Sequence, residues 1–168
     1  MKDLIRICLQ LKWLPDRGDT HALRGLSVIE LLLVVGVIAV ITSIAVPVYS
    51  EFKLDAKNNE AIEHIKQLER RIDEFYKEHE RYPNNMSEIG REGIVDPWGN
   101  PYAYLNITAA GTDVKPRKWH NIHPINSDYD CYSKGKDGKS KVPLTSPESR
   151  DDIVRARNGE FIGVVADM

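Results

Sequence analysis

A carboxylate stands at the start of an apolar run. In Arg24-Gly25-Leu26-Ser27-Val28-Ile29-Glu30 a basic residue and a glycine precede the acid, and from Leu31 to Val48 no charged residue follows. An unpaired acid in such a segment costs about 2.5–3.5 kcal/mol on insertion scales and marks a functional position. Glu30 has neither water nor substrate access there, so it is not placed for catalysis. A run of this length reads as a membrane helix. Lys2, Arg6, Lys12, Arg17 and Arg24 outnumber Asp3, Asp16 and Asp19 before it, which predicts a cytoplasmic N-terminus and an exported C-terminal part. No small-residue cleavage site follows the run, unlike an ordinary secretory signal, so the apolar segment is retained. A plain single-span anchor accounts for the run but not for the acid or for Arg24-Gly25 beside it.

The remaining chemistry-bearing residues carry weaker patterns. Ser133 to Ser140 ends like a phosphate-binding loop in Gly138-Lys139-Ser140, but Ser133 stands where the first glycine belongs and no helical pattern follows. His120 and His123 have no third ligand at a familiar spacing and read as exposed loop residues. Cys131 lacks the local signatures of nucleophilic cysteines and reads as a packed strand residue. No Ser/His/Asp set or carboxylate pair stands out, so the chain reads as a non-enzyme. A formal net charge of −2 gives no reason to expect a nucleic-acid surface.

The elements that must position these residues follow from periodicity. A helix is predicted from about Ile29 to Lys77, bent at Pro47 and loosened at Gly36. Past the apolar run, Ile62, Ile65, Leu68, Ile72, Phe75 and Tyr76 recur at spacings of three and four and form a core face. Glu63/Gln67, Glu69/Asp73 and Lys66/Arg70 mark its solvated side. Tyr82-Pro83-Asn84-Asn85 ends the helix, Met86 to Ile89 forms one short turn, and Gly90 closes it. A turn region from Asp96 to Tyr102 leads to three short strands at Tyr102–Ile107, Asp128–Ser133 and Glu160–Val165. Trp98, Tyr102 and Tyr104 belong to the core, and the basic stretch from Lys115 to His123 is exposed. The fold class is α+β, a long helix laid on a small antiparallel sheet. Removing the N-terminal segment would take Cys8 with it. Cys131 would then have no disulfide partner, and something else must hold the C-terminal loops.

Arg24-Gly25-Leu26 with Glu30, the apolar run and Pro47 resembles the processing and assembly segment of type IV prepilins. The resemblance implies a leader at 1–25, an assembly helix at 26–49 and an exported pilin domain at 50–168. It implies cleavage between Gly25 and Leu26 by prepilin peptidase, N-methylation at Leu26, and pairing of Glu30 with a neighbouring subunit's terminal amine. Leu26 departs from the family's usual Phe or Met. Asp96-Pro97-Trp98-Gly99-Asn100-Pro101-Tyr102, the segment from Tyr129 to Gly138 and Asp151-Asp152-Ile153 are similar to the major pseudopilin of type II secretion systems. That similarity implies a homopolymeric periplasmic filament and, as partners, minor pseudopilins and an inner-membrane platform with its ATPase. It also implies a calcium ion held by Asp137 as one carboxylate ligand, by Asp151 or Asp152 as another, and by carbonyls near Tyr132 to Gly135. Pilins of surface type IV pili share every N-terminal feature.

Overall fold

The computed structural model describes residues 25–109 and 115–168. Residues 1–24, most of the leader expected at 1–25, with their basic side chains and Cys8, lie outside these, as do 110–114. A single helix, α1, runs over Val28–His79. The chain divides into two units, one ending at Ser43 and the other running from Ile44 to Met168.

In the first unit every residue from Gly25 to Ser43 is exposed, and the side chains are almost all apolar. The two hydroxyls on the helical part of this unit are turned inward: Thr42 Oγ1 donates to the Ile38 carbonyl and Ser43 Oγ to the Val40 carbonyl, both at 2.7 Å. Internal satisfaction of this kind is what a segment in a waterless medium requires.

The second unit is built on the C-terminal part of α1. Ala61, Ile65, Leu68 and Ile72, spaced by four, three and four, are fully or almost fully buried. Burying each of the larger three contributes about 1.5–3 kcal/mol. They meet a four-stranded antiparallel meander of β1 (Ala103–Asn106), β2 (Tyr129–Ser133), β3 (Ile153–Ala156) and β4 (Phe161–Val164). Cys131 lies opposite Tyr104 in the β1–β2 register, and Val154 opposite Gly163 in the β3–β4 register. Alternation along the strands sends Tyr129, Cys131 and Ile153 to the helix. Tyr132, Val154 and Ala156 face the other way, where Ile125, Leu144 and Val165 complete a second core.

Three strands agree with the sequence reading, and β3 is an addition to it. Its four residues follow two aspartates and contain Arg155, so no apolar alternation announces it. The turn at Met86–Ile89 forms as a 3-10 helix. Asn85 caps it by accepting from the Ser87 N–H at 3.0 Å, and Gly90 closes it at a φ of 65°. The segment from Asp96 to Asn100 is an aspartate-nucleated turn. Asp96 Oδ1 accepts from the Trp98 and Asn100 N–H groups at 3.0 and 2.8 Å, and Asp96 Oδ2 accepts from the Ser133 hydroxyl at 2.5 Å. Asn100 Nδ2 donates to the Gly135 carbonyl at 3.0 Å, so this turn is tied to the loop that follows β2.

Candidate functional site

The residues singled out at the N-terminal end stand at the first turn of α1. Gly25, Leu26 and Ser27 are irregular and exposed, and a side chain at Gly25 would meet nothing within 4 Å. The Leu31 N–H donates to the Ser27 carbonyl at 3.0 Å, which sets the start of the helix. Glu30 lies in this first turn, where the positive end of the helix dipole favours a carboxylate. It is exposed among exposed apolar neighbours, with Leu26, Val28 and Ile29 each at least 70 % accessible. The Gly25–Leu26 bond thus lies in exposed chain ahead of the helix. A partner helix meets an acid set in an apolar surface.

The loop after β2 holds all three acids expected as metal ligands and brings two of them together. The Asp137 N–H donates to Asp151 Oδ2 at 3.0 Å, and Asp137 Oδ1 accepts from the Lys139 N–H at 2.7 Å. Gly135, at a φ of 63°, lies so close that a Cβ there would overlap the Asp151 carbonyl and carboxylate oxygens. Carboxylate and carbonyl oxygens thus share one small neighbourhood, a donor set of the kind calcium takes. Asp152 is turned away from it. That residue is fully buried, accepts from the Ser140 hydroxyl, and stands 3.6 Å from Arg117 Nη2. Its Oδ1 has no hydrogen-bond partner. Among the described residues, no three His, Cys, Asp or Glu side chains are grouped to hold an ion.

Burial pushes the Asp152 carboxyl up to about 6, against the opposing pull of Ser140 and Arg117. A raised carboxyl contributes stability that is fully present below about pH 4 and lost as pH rises through about 6. Asp152→Asn, unfolded by urea in EDTA, is therefore expected to match the parent at low pH. At pH 7.5 it should exceed the parent by on the order of 1–2 kcal/mol. An equal difference at both pH values would reject burial of the charge as the cause.

Two buried arginines organise the sheet, one on each face. Arg155 on β3 donates through Nε to Glu69 Oε1 at 2.8 Å and through Nη1 and Nη2 to both oxygens of Asp128 at 2.9 and 2.8 Å. Its guanidinium lies 4.1 Å from the centre of the Tyr129 ring. Arg117 stacks on Tyr132 at 3.6 Å and donates to the Ser140 hydroxyl and the Lys141 carbonyl. Its own N–H donates to Asp130 Oδ2 at 2.7 Å. Two sequence expectations are corrected here. Glu69 is not on the solvated side of α1 but is drawn in by Arg155. The stretch from Lys115 to His123 is not wholly exposed, since Arg117 is 4 % accessible. Both arginines pair with residues far away in the chain, and no local spacing signals that.

With this geometry in view, similarity to known proteins is informative. The type IV major pilin PilA of Myxococcus xanthus is 35 % identical over 88 residues, which is 52 % of this chain and 39 % of that protein. The chain thus spans well under two thirds of that relative. A fimbrial protein of Neisseria meningitidis is 27 % identical over 77 % of this chain and 76 % of its own length. The type II secretion system core protein G of Klebsiella pneumoniae is 27 % identical over 77 % of this chain and 91 % of its own. No family model matches the chain, and no solved structure matches it significantly. The long N-terminal helix on an antiparallel sheet is consistent with a pilin fold, and the chain is similar, at modest identity, both to type IV pilins and to the secretion core protein G.

Proposed function

We propose that the chain is a structural subunit of a periplasmic pseudopilus that helps export folded proteins through a type II secretion system. The observation that carries this reading is Glu30, an acid on an exposed apolar helix turn four residues beyond an open Gly25-Leu26 bond. α1 is long and apolar enough to cross a membrane, which supports a single-pass inner-membrane anchor with the sheet domain on the periplasmic side. Prepilin peptidase would cut between Gly25 and Leu26 and methylate Leu26. The exposed apolar helices of successive copies would then pack into a filament core, each Glu30 meeting a neighbour's terminal amine. The assembly platform with its ATPase and the minor pseudopilins would be the further partners. The long span of similarity to core protein G favours secretion over a surface type IV pilus, the second reading. That second reading keeps support from the meningococcal fimbrial protein, which is matched over a comparable share of this chain.

The processing step is tested by intact mass after coexpression with prepilin peptidase. Loss of residues 1–25 and gain of one methyl group are expected, and an uncut chain would overturn the pilin reading altogether.

Calcium is proposed at the loop after β2, held by Asp137 and Asp151 with carbonyl oxygens from Tyr132 to Gly135. It would supply neutralisation and cross-linking of two loops that no disulfide joins. Asp137 would have to release the Lys139 N–H to turn inward, and Asp152 keeps its place beside Arg117. The melting temperature is expected to rise in calcium relative to EDTA and to lose that rise in Asp137→Ala. An unchanged melt in excess calcium would reject the ligand assignment. It would also leave the surface-pilus reading on equal terms.

A further inference from the structure

Just past the end of the apolar run, one face of α1 and two loops of the sheet domain enclose an open cleft of about 290 Å³. Ser50, Lys53, Leu54 and Lys57 line it from the helix at spacings of three, four and seven, and Trp98 and Lys136 close it from the loops. Glu51 and Asp55 fall on another face of the helix. None of the three lysines pairs with a carboxylate among the described residues. Lys57 Nζ donates to the Pro97 carbonyl at 2.8 Å and lies 5.7 Å from the Trp98 ring centre, so one ammonium is already fixed at the cleft wall.

The position of the cleft along α1 names its occupant. The aliphatic run ends at Val48, and Tyr49 and Phe52 follow with at least 70 % of their surface exposed. Aromatic residues placed so mark the boundary of a bilayer. At 1.5 Å per residue, Lys53 and Lys57 stand about 6 and 12 Å beyond Tyr49, across the depth of the headgroup layer. We propose that this cleft holds the phosphate of one anionic phospholipid from the leaflet on the side of the sheet domain. The lysines would take the phosphate charge, and Leu54 and Trp98 would pack against the glycerol and the first acyl carbons. A subunit waiting in the membrane would then be held by its domain as well as by its helix, with its loops set against the headgroups. Release of the lipid would be part of leaving the bilayer for the filament.

The inference rests on reading α1 as a membrane helix, and its test separates the two. Full-length chain is reconstituted in nanodiscs of phosphatidylcholine with and without phosphatidylglycerol, and retained lipid is counted by native mass spectrometry. Preferential retention of one phosphatidylglycerol is expected. Changing Lys53→Gln, Lys57→Gln and Lys136→Gln together should lower it about tenfold or more. The control pair Arg70→Gln and Arg71→Gln should leave it unchanged, and equal melting temperatures would exclude misfolding of the lysine variant. Failure to enter nanodiscs would overturn the membrane reading and this one with it. Entry without lipid preference would overturn only this one, as would inorganic phosphate binding equally well in pure phosphatidylcholine discs. Lysine substitutions that spare lipid retention but lower filament yield would assign the cleft to a second copy of the chain instead.

Discussion

Glu30→Ala is expected to abolish filament formation while leaving membrane insertion intact. The substitution removes the only charge between Arg24 and Glu51, so insertion becomes easier rather than harder. Assembly is another matter. Packing the exposed apolar turns of two copies together would bury the terminal ammonium of Leu26 in a medium of low dielectric. Without a carboxylate opposite, that charge is left unpaired, at a cost of about 3–5 kcal/mol for each subunit added. A loss of that size at every step takes polymer yield below detection. Sheared-filament yield and carbonate extraction of membranes measure the two effects separately. Glu30→Gln, which keeps a hydrogen-bond acceptor without the charge, is expected to recover little. Normal yield from either variant would show that the acid has some other role.

Arg155→Met should destabilise the sheet domain by about 3–5 kcal/mol, the cost of breaking a buried ion cluster from one side. Its guanidinium satisfies Asp128 on both oxygens, draws Glu69 of α1 onto the sheet, and covers the Tyr129 ring. Methionine fills part of the volume but leaves two carboxylates facing a poorly solvated gap. Urea unfolding of the full chain in detergent, followed by near-ultraviolet signals from the tyrosine cluster, reads the loss. Adding Asp128→Leu and Glu69→Leu to the variant should restore much of it, because an apolar set can replace a buried ionic one. A change below about 1 kcal/mol would mean that the arginine is a passenger of the fold.

What was legible in the sequence was whatever repeats locally. The stripe at Ile65, Leu68 and Ile72 announced the buried side of α1, and Asn85 with Gly90 announced both ends of the short turn between them. Tyr129 and Cys131 alternate well enough to declare β2. By contrast, β3 has only four residues, one of them a charge that is buried because Asp128 and Glu69 meet it from 27 and 86 residues away. The burial of Arg117 likewise depends on Asp130, Ser140 and the Tyr132 ring converging from separate segments. For the same reason sequence could not choose between Asp151 and Asp152, whereas the fold sets Asp151 beside Asp137 and buries Asp152 beside Arg117. Gly25, Leu26 and Glu30 stand out in the sequence because they lie close together at one helix start.

Cys131 is 1 % accessible, and burial raises its thiol to about 12. A chain relieved of residues 1–25 retains no other sulfhydryl. Its alkylation at neutral pH must therefore wait until β2 separates from α1 and its neighbouring strands. The rate of that reaction counts openings of the whole domain. The same unaltered subunit can be timed in the membrane and again within a polymer. The ratio of the two rates is then a direct reading of how much each neighbour in the filament adds to the endurance of the fold.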